Sequence, residues 1–321
     1  MINSDASFYR SLAETLDPYS DPIAAQLIPR AEERVVLHYE STDPIADKSF
    51  ELSPRLIHRY YDRALLLAND TCAMYCRHCF RQHFTHSKAG EITEKELQAA
   101  CSQLQQHPEI HEILISGGDP LYIESKKLQH IINSLRSIRS DYIIRISTRI
   151  PIVKPNHIPD SFFQFLAEQK HIWIVVQVNH PKEISLDFSR CIERIRKTGT
   201  AVVNQSVLLR GVNDSVEIQE TLLRKLLQNG IKPYYLFQGD LAAGTSHFRV
   251  NLEKGITIMQ RLRNRLSSLA MPVYAVDIPN TWSKIALHDN SIFAITNGWY
   301  QLHGPNNETF KYPCEHMDER P

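Results

Sequence analysis

The amino-acid sequence predicts an α/β fold built from repeated βα units around a parallel sheet. Apolar runs of strand length alternate with segments of helical periodicity, which is the pattern of such a fold. The predicted strands are 64–68, 112–116, 142–147, 172–178, 201–209, 232–237 and 272–277. Between 112 and 232 their starts recur about every 30 residues, the length of one βα unit. These units form either a full or partial barrel or an open doubly wound sheet, and ligands then bind at the carboxyl ends of the strands.

Two parts of the chain lead into and form this sheet. Residues 1–63 carry short helical pieces and are predicted to be an N-terminal lead-in packed on the barrel, which spans 64–287. Within the barrel, Thr93 and Glu96 form a capping-box pattern that begins a helix. Apolar residues on one face of the segment 128–138 predict a further helix packed against the sheet.

The third part, 288–321, is predicted to be a small β extension. The runs 292–296 and 299–303 flank the dipeptide Asn297-Gly298. This dipeptide favours a type I′ turn, so the segment reads as a hairpin.

Composition and charge exclude several classes of protein. Lys+Arg 36 balances Asp+Glu 36, so no basic excess indicates a nucleic-acid partner. No apolar run is long enough to span a bilayer, and the N-terminus lacks the pattern of a signal peptide. Cys101, Cys191 and Cys314 have no disulfide-framework spacing. We therefore expect a reduced, cytoplasmic protein with no membrane partner.

The most informative feature is the spacing of Cys72, Cys76 and Cys79 directly after the first predicted strand. Three thiolates can hold a 4Fe–4S cluster and leave one iron open to bind a small molecule. The alternative is a zinc site, in which a nearby histidine would supply the fourth ligand. The candidates for that ligand are His78, His83 and His86.

Four motifs together resemble the lysine 2,3-aminomutase family of radical S-adenosylmethionine enzymes. They are Cys-Ala-Met-Tyr-Cys-Arg-His-Cys at 72–79, Ile-Ser-Gly-Gly-Asp-Pro-Leu at 115–121, Asn-His-Pro at 179–181 and Asn-Gln-Ser-Val-Leu-Leu-Arg-Gly-Val-Asn-Asp at 204–214. The resemblance runs from about 43 to 287. It implies a partial barrel of six βα units, a 4Fe–4S cluster, S-adenosylmethionine and pyridoxal phosphate. It also implies a radical reaction in which an amino group migrates from the α to the β carbon.

The resemblance assigns the Gly117-Gly118-Asp119 turn to the ammonium group of S-adenosylmethionine. Glycines at a strand end let the backbone approach a ligand closely, although such a tripeptide alone is most often just a turn. Arg59 and Arg63 match the residues that clamp the phosphate of pyridoxal phosphate, since guanidinium groups suit phosphate oxygens. Their alternative is a solvated helical face.

Gln205 and Lys284 match two further residues of the pyridoxal phosphate site. Lys284 would bond covalently to the cofactor, which requires a desolvated lysine of lowered pKa. The alternatives are a core amide for Gln205 and a surface position for Lys284. The stretch 279–283 before this lysine lacks the glycines of better-known members of the family. That departure leaves open a radical S-adenosylmethionine enzyme without pyridoxal phosphate.

Substrate recognition is assigned to one arginine and two acids. Arg81 matches the residue that grips the substrate carboxylate, and Asp240 and Asp277 match the carboxylates that bind the far ammonium of lysine. Each acid could instead cap a helix or close a turn. A charge-assisted hydrogen bond is worth roughly 1.5–3 kcal/mol, so two of them would favour a cationic side chain by about two to four powers of ten. Arginine meets the same criterion and remains an alternative substrate.

Two departures from free-lysine mutases bear on cofactors and partners. Those enzymes often build a zinc site from cysteines, whereas this chain has Ser215 and only Cys314 in the corresponding regions, so we expect no structural zinc. The short ends resemble the branch that makes β-lysine for the modification of elongation factor P. An electron-donor protein is the other partner that the resemblance implies. A non-enzymatic, zinc-stabilised binding module is the remaining alternative.

Overall fold

A computed structural model describes residues 4–85, 87, 89–279, 284–304 and 308–314 of the chain. The strands are β1 Glu51–Ser53, β2 Leu56–Tyr60, β3 Arg63–Asn69, β4 Glu112–Gly117, β5 Ile143–Thr148, β6 Ile172–Val176, β7 Ala201–Val207, β8 Lys232–Phe237, β9 Val273–Asp277, β10 Lys284–Ala286, β11 Ile292–Thr296, β12 Trp299–His303 and β13 Thr309–Pro313. The α-helices are α1 Ser7–Ser11, α2 Pro22–Leu27, α3 Gln82–Thr85, α4 Glu94–Gln106, α5 Ser125–Ile138, α6 Ile150–Val153, α7 Asp160–Glu168, α8 Leu186–Lys197, α9 Val216–Gln228 and α10 Leu252–Arg263. Short 3₁₀ turns cover Ser4–Ala6, Ala31–Arg34, Asp47–Phe50, Pro181–Glu183 and Ser246–Phe248.

The main sheet has ten strands in the order β1 to β10. Strands β3 to β9 are mutually parallel and are joined by helices, so six βα units are followed by a closing seventh strand. Antiparallel strands lie at both edges: β1 and β2 precede β3, and β10 pairs with β9. The strand order is linear, with different strands at its two ends, which makes the barrel a partial one. The fold class predicted from the sequence is therefore confirmed.

The seven predicted strands coincide with β3 to β9 to within two residues at either end. One part of the lead-in differs from its prediction, because 51–60 forms the edge strands β1 and β2 rather than helical pieces. β2 buries Leu56 and Ile57 against the barrel and carries Arg59, which therefore lies on a strand and not on a solvated helical face. β1 and β2 are joined by the short turn at 54–55 and pair their backbone hydrogen-bonding groups with each other. The pairing also places apolar side chains of β2 against the barrel, which favours strands over a short helical turn.

The predicted start of α4 is present in detail. The Thr93 hydroxyl accepts a hydrogen bond from the Glu96 amide at 3.3 Å, and the Glu96 carboxylate accepts one from the Thr93 amide at 2.7 Å. Both orphan amides at the helix start are thus satisfied. The helix buries Leu97, Ala100 and Leu104 against the sheet.

The C-terminal extension forms a separate three-stranded antiparallel sheet of β11, β12 and β13. Asn297 and Gly298 have φ angles of 49° and 77°, which fits the predicted type I′ turn. Tyr300 and Leu302 on β12 are buried and join the main core. Among the described residues, no helix combines the length and apolar character required to cross a membrane.

Candidate active site

A cavity of about 280 Å³ opens at the carboxyl ends of the parallel strands. All of the site residues predicted from the sequence line it: Arg59, Arg63, Cys72, Cys76, Cys79, Arg81, Gly117, Gly118, Asp119, Gln205, Asp240, Asp277 and Lys284. The fold explains much of this convergence, because the ends of the parallel strands β3, β4, β8 and β9 meet at one rim. Arg63 instead begins β3 and Gln205 lies within β7, so the cavity extends from the rim into the barrel. We call this space the barrel cavity.

The segment 70–81, here called the cysteine loop, follows β3 and carries the three thiols. The three cysteines form no disulfide with the other described residues, and they are half-buried. Burial raises the pKa of Cys79 to about 11 and that of Cys72 well above its ordinary value. A bound metal reverses this preference, since a coordinating thiol is deprotonated by the cation it binds.

The spacing of the thiols separates a cluster from a single zinc ion. The sulfur atoms of Cys72, Cys76 and Cys79 are all described, yet they do not form a set in which every atom lies within 4.8 Å of the others. Tetrahedral zinc with bonds near 2.3 Å would hold its sulfurs roughly 3.8 Å apart. Of the proposed fourth ligands, His78 is buried and its Nε2 lies 3.2 Å from the Asn179 amide nitrogen, while His86 lies outside the described residues. The thiols are therefore not spaced for one tetrahedral zinc ion, whereas three thiolates are usual ligands of an iron–sulfur cluster.

A buried ionic network contacts the cysteine loop, and the sequence analysis did not predict it. Arg149 donates to the Cys76 sulfur at 2.8 Å and to Glu183 Oε1 at 2.6 Å. The Tyr9 hydroxyl donates to the same Glu183 oxygen at 2.6 Å. Glu183 is fully buried and also accepts the backbone amide of Asn179 at 2.5 Å. The available signals were the position of Arg149 directly after β5 and the Asn-His-Pro motif before Glu183.

The Gly117-Gly118-Asp119 turn packs tightly on the cysteine loop. Gly117 has a φ of 112°, and a Cβ on Gly118 would lie 2.1 Å from the Thr71 carbonyl oxygen. The Asp119 carboxylate is buried, which raises its pKa, and it accepts hydrogen bonds from Thr148, Arg149 and Leu121. These hydrogen bonds connect the end of β4 to the end of β5 and already occupy the carboxylate oxygens. An ammonium group bound at this turn would therefore also need backbone carbonyl oxygens as acceptors.

Lys284 begins β10 and projects into an aromatic pocket. Its Nζ lies 5.2 Å from the ring centre of Tyr60, 4.7 Å from that of Tyr235 and 4.6 Å from that of Phe237. Burial lowers the pKa of Lys284, and the nearby arginines Arg63, Arg59 and Arg145 act in the same direction against the opposing charge of Asp277. A lysine of lowered pKa in a dry pocket is what covalent bonding to a carbonyl cofactor requires. The residues 280–283 before it lie outside the described residues.

The two predicted substrate acids differ in their surroundings. Asp277 accepts a 2.7 Å hydrogen bond from the Tyr60 hydroxyl and lies 3.6 Å from Arg59 and 3.8 Å from Lys284. Asp240 lines the same cavity, and burial together with the charge of Asp277 raises its pKa to about 7. The charge of Asp277 is thus partly offset by Arg59 and Lys284, whereas the raised pKa of Asp240 indicates a less compensated carboxylate that a nearby cation would stabilise.

Arg81 reaches the barrel cavity from the end of the cysteine loop. Its Nε and Nη2 donate to Asp47 Oδ2 at 3.1 and 2.7 Å. Asp47 lies in the lead-in and was not singled out from the sequence. Gln205 lies on β7 beside the same cavity, so it is not an amide enclosed in the core.

Comparisons with known proteins agree with this geometry. The family model described as a 4Fe-4S single cluster domain matches residues 63–152. The L-lysine 2,3-aminomutase of Clostridium subterminale is 36% identical over 89% of this chain and 69% of its own length. That of Haemophilus influenzae is 36% identical over 80% of this chain and 76% of its own length.

Solved structures share the fold at much lower identity. Streptococcus suis SuiB bound to S-adenosylmethionine has a TM-score of 0.50 at 14% identity, over 68% of this chain and 51% of that chain. SuiB bound to the precursor peptide SuiA gives a TM-score of 0.50 over 70% of this chain and 50% of that chain. The similarity to these mutases covers most of the chain, including the barrel that holds the three cysteines, Lys284 and the acids Asp240 and Asp277. On this evidence the chain belongs to the L-lysine 2,3-aminomutase family.

Proposed function

We propose that this protein is an isomerase that converts L-lysine to β-lysine by migration of the amino group from the α to the β carbon. The observation that carries the proposal is that one cavity gathers three cysteine thiols, a buried lysine of lowered pKa and two carboxylates. Relatives in the family are named for the same activity. We further propose that residues 64–287 form the radical S-adenosylmethionine barrel, with the lead-in and the C-terminal sheet packed around it. The lead-in adds Arg59 and Arg63 to the barrel cavity.

Cys72, Cys76 and Cys79 would hold a 4Fe–4S cluster, and the turn at 117–119 would hold the ammonium of S-adenosylmethionine. Arg59, Arg63 and Gln205 would bind pyridoxal phosphate beside Lys284. When bound, the cluster and S-adenosylmethionine supply one-electron hydrogen abstraction, and pyridoxal phosphate supplies the π system that carries the migrating nitrogen. The protein contributes positioning and a site that excludes water, which the aromatic rings around Lys284 favour.

Lysine would bind with its carboxylate on Arg81 and its far ammonium between Asp240 and Asp277. The acid pair opposes an anionic substrate and favours a cationic one. The guanidinium of arginine also suits two carboxylates, so arginine is the competing substrate. Because Asp277 is already near Arg59 and Lys284, the site holds two positive neighbours, and a compact ammonium needs less rearrangement there than a broad guanidinium.

The compartment, the electron donor and the use of the product complete the proposal. The described cysteines form no disulfides, which suits a reducing compartment, and we place the enzyme in the cytoplasm. An electron-donor protein would reduce the cluster. The β-lysine would serve the modification of elongation factor P, a link that rests on the family resemblance alone.

The test is anaerobic turnover of L-lysine by the iron-reconstituted protein with S-adenosylmethionine, pyridoxal phosphate and a strong reductant. The products are separated by chiral chromatography. We expect β-lysine from lysine and little product from arginine. Formation of 5′-deoxyadenosine without β-lysine, even with pyridoxal phosphate present, would instead favour a different radical S-adenosylmethionine reaction.

A further inference from the structure

A second group of metal-ligating side chains lies outside the barrel cavity. His58 on β2, His107 directly after α4 and Glu109 in the following loop each offer one ligand atom, and these three atoms all lie within 4.8 Å of one another. We call this group the His–His–Glu cluster. None of its members lines the barrel cavity.

The position of the cluster follows from the contacts of His58 on β2. Its neighbours Ile57 and Arg59 line the barrel cavity, whereas His58 does not. The ring of His58 instead packs against that of His107, so it lies on the side of the helix layer. There it meets the end of α4, and β4 begins only at Glu112. The cluster is therefore at the amino ends of the parallel strands, away from the rim that carries the proposed active site.

The hydrogen bond of His58 determines which nitrogen can bind a cation. Its ring is buried, with 5% exposure, and Nε2 lies 3.1 Å from the Tyr61 carbonyl oxygen. A carbonyl oxygen only accepts, so Nε2 carries the hydrogen and Nδ1 is the ligand atom of the neutral ring. Histidines that bind metals usually donate their other ring N–H in this way, to a backbone carbonyl or a carboxylate.

The other two members are already arranged around the same point. The rings of His58 and His107 have centres 5.4 Å apart at an interplanar angle of 62°. His107 Nδ1 lies 2.9 Å from Glu109 Oε1. Both of these side chains are partly exposed, at 29% and 25%, so solvent and ions can reach the cluster.

We propose that His58, His107 and Glu109 form a binding site for a divalent transition metal of the zinc class, completed by water. Two imidazole nitrogens and one carboxylate oxygen are a ligand set that zinc takes readily. The site is independent of the proposed aminomutase activity. The expectation of no structural zinc from the sequence concerned cysteine ligands only. The proposed site uses histidine and glutamate ligands instead.

The structural consequence of the metal would be to tie β2 to the connection between α4 and β4. β2 is near the edge of the sheet and carries Arg59 next to His58. A cation bound only by the folded chain stabilises that chain by RT ln(1 + c/Kd), where c is the free cation concentration, so tighter binding gives greater stabilisation. Metal binding would therefore hold in place the strand that presents Arg59 to the barrel cavity.

The test measures zinc uptake by the protein with its iron–sulfur cluster already assembled, because empty cysteines would bind zinc themselves. Chelator-washed protein is dialysed against micromolar zinc, and zinc and iron are counted by mass spectrometry. We expect about one zinc per chain in the wild type at unchanged iron content, and a large loss of zinc in His107→Ala and Glu109→Gln. Both changes are at partly exposed positions, so folding should persist.

His130→Ala is the matched control. His130 Nε2 also lies 2.9 Å from a carboxylate, that of Glu94, but among the described residues no third ligand joins this exposed pair. This variant should keep its zinc, and added zinc should raise the melting temperature of the wild type and of this control but not of His107→Ala. Equal zinc in the wild type and His107→Ala, or equal loss in His130→Ala, would overturn the proposal. Either result is independent of lysine turnover, so it leaves the proposed activity untouched.

Discussion

Arg81 donates two hydrogen bonds to a single oxygen of Asp47, at 3.1 and 2.7 Å, and the two side chains are only 13% and 16% exposed. The contact uses Nε and Nη2, while a guanidinium has five N–H donors. Asp47 thus fixes the orientation of Arg81 and leaves further donors of the same group for a substrate carboxylate. The lead-in therefore contributes to the proposed substrate site.

This relationship predicts that Asp47→Ala raises KM for lysine about tenfold with little change in kcat, because a less ordered Arg81 binds the carboxylate less well. Arg81→Ala should raise KM more, by about a hundredfold. In the Arg81→Ala background the Asp47 change should add little, which steady-state kinetics of the four proteins measures. A lower KM in Asp47→Ala would instead mean that Asp47 competes with the substrate.

Asp240 predicts a pH dependence of substrate binding. Its pKa is raised to about 7, so below pH 7 the carboxyl is mostly protonated and loses its attraction for an ammonium group. KM for lysine should therefore fall as pH rises from 6 to 8, by up to about tenfold, since one unit below the pKa only about a tenth is ionised.

Asp240→Asn removes the titrating group and provides the control. This variant should have a high KM at every pH in that range. If its KM keeps the slope of the wild type, another group titrates and Asp240 is not the ammonium ligand. The measurement is KM at a series of pH values with saturating cofactors.

Lys284 predicts a spectroscopic signature that is independent of turnover. Lys284→Ala should lose the visible absorbance of bound pyridoxal phosphate, and borohydride reduction of the wild type should fix the cofactor to this residue. Lys232→Ala is a suitable control, because Lys232 is also partly buried but its Nζ donates to the Met271 carbonyl at 3.0 Å instead of facing the cavity. A labelled peptide that contains another lysine would show that Lys284 is misassigned.

Much of the fold, and the residues that line the barrel cavity, could be predicted from the sequence because the signals for them are short patterns along the chain. The strands follow from apolar runs, and the turn at Asn297 and Gly298 follows from two residues. The positions that were missed depend on contacts between distant parts of the chain. Asp47 meets Arg81 across 34 residues, and Tyr9 meets Glu183 across 174. No periodicity or spacing encodes such pairs, since they exist only once the lead-in packs on the barrel.

We expect a side chain at position 118 to reduce binding of the iron–sulfur cluster by steric clash alone. A Cβ at this position would lie 2.1 Å from the Thr71 carbonyl oxygen and 2.6 Å from its nitrogen, both backbone atoms that cannot rotate away. Gly118→Ala should therefore displace the cysteine loop and lower the iron bound per chain after reconstitution. Gly199→Ala is the control: it introduces backbone strain at a φ of 85° but meets nothing within 4 Å, so its iron content should match the wild type.

The hydrogen bond from Arg149 to the Cys76 sulfur predicts an effect on the reduction potential of the bound cluster. Donors to cluster sulfurs stabilise the reduced, more negative form and so raise the potential. Arg149→Lys keeps a positive charge beside the buried Glu183, which avoids an unpaired buried carboxylate. Because lysine lacks the planar fork that serves Glu183 and Cys76 together, the potential should fall by on the order of 50 mV.

The measurement is a redox titration followed by electron paramagnetic resonance, with lysine turnover recorded separately. Arg55→Lys serves as the control, since Arg55 is also a buried, ion-paired arginine but donates to Glu96, Ala89 and Gly90. Its potential should equal that of the wild type. If Arg149→Lys leaves the potential unchanged while thermal stability falls, the network of Tyr9, Arg149 and Glu183 acts only by holding the lead-in on the barrel. A shift confined to Arg149→Lys would instead show that this network tunes the cluster itself.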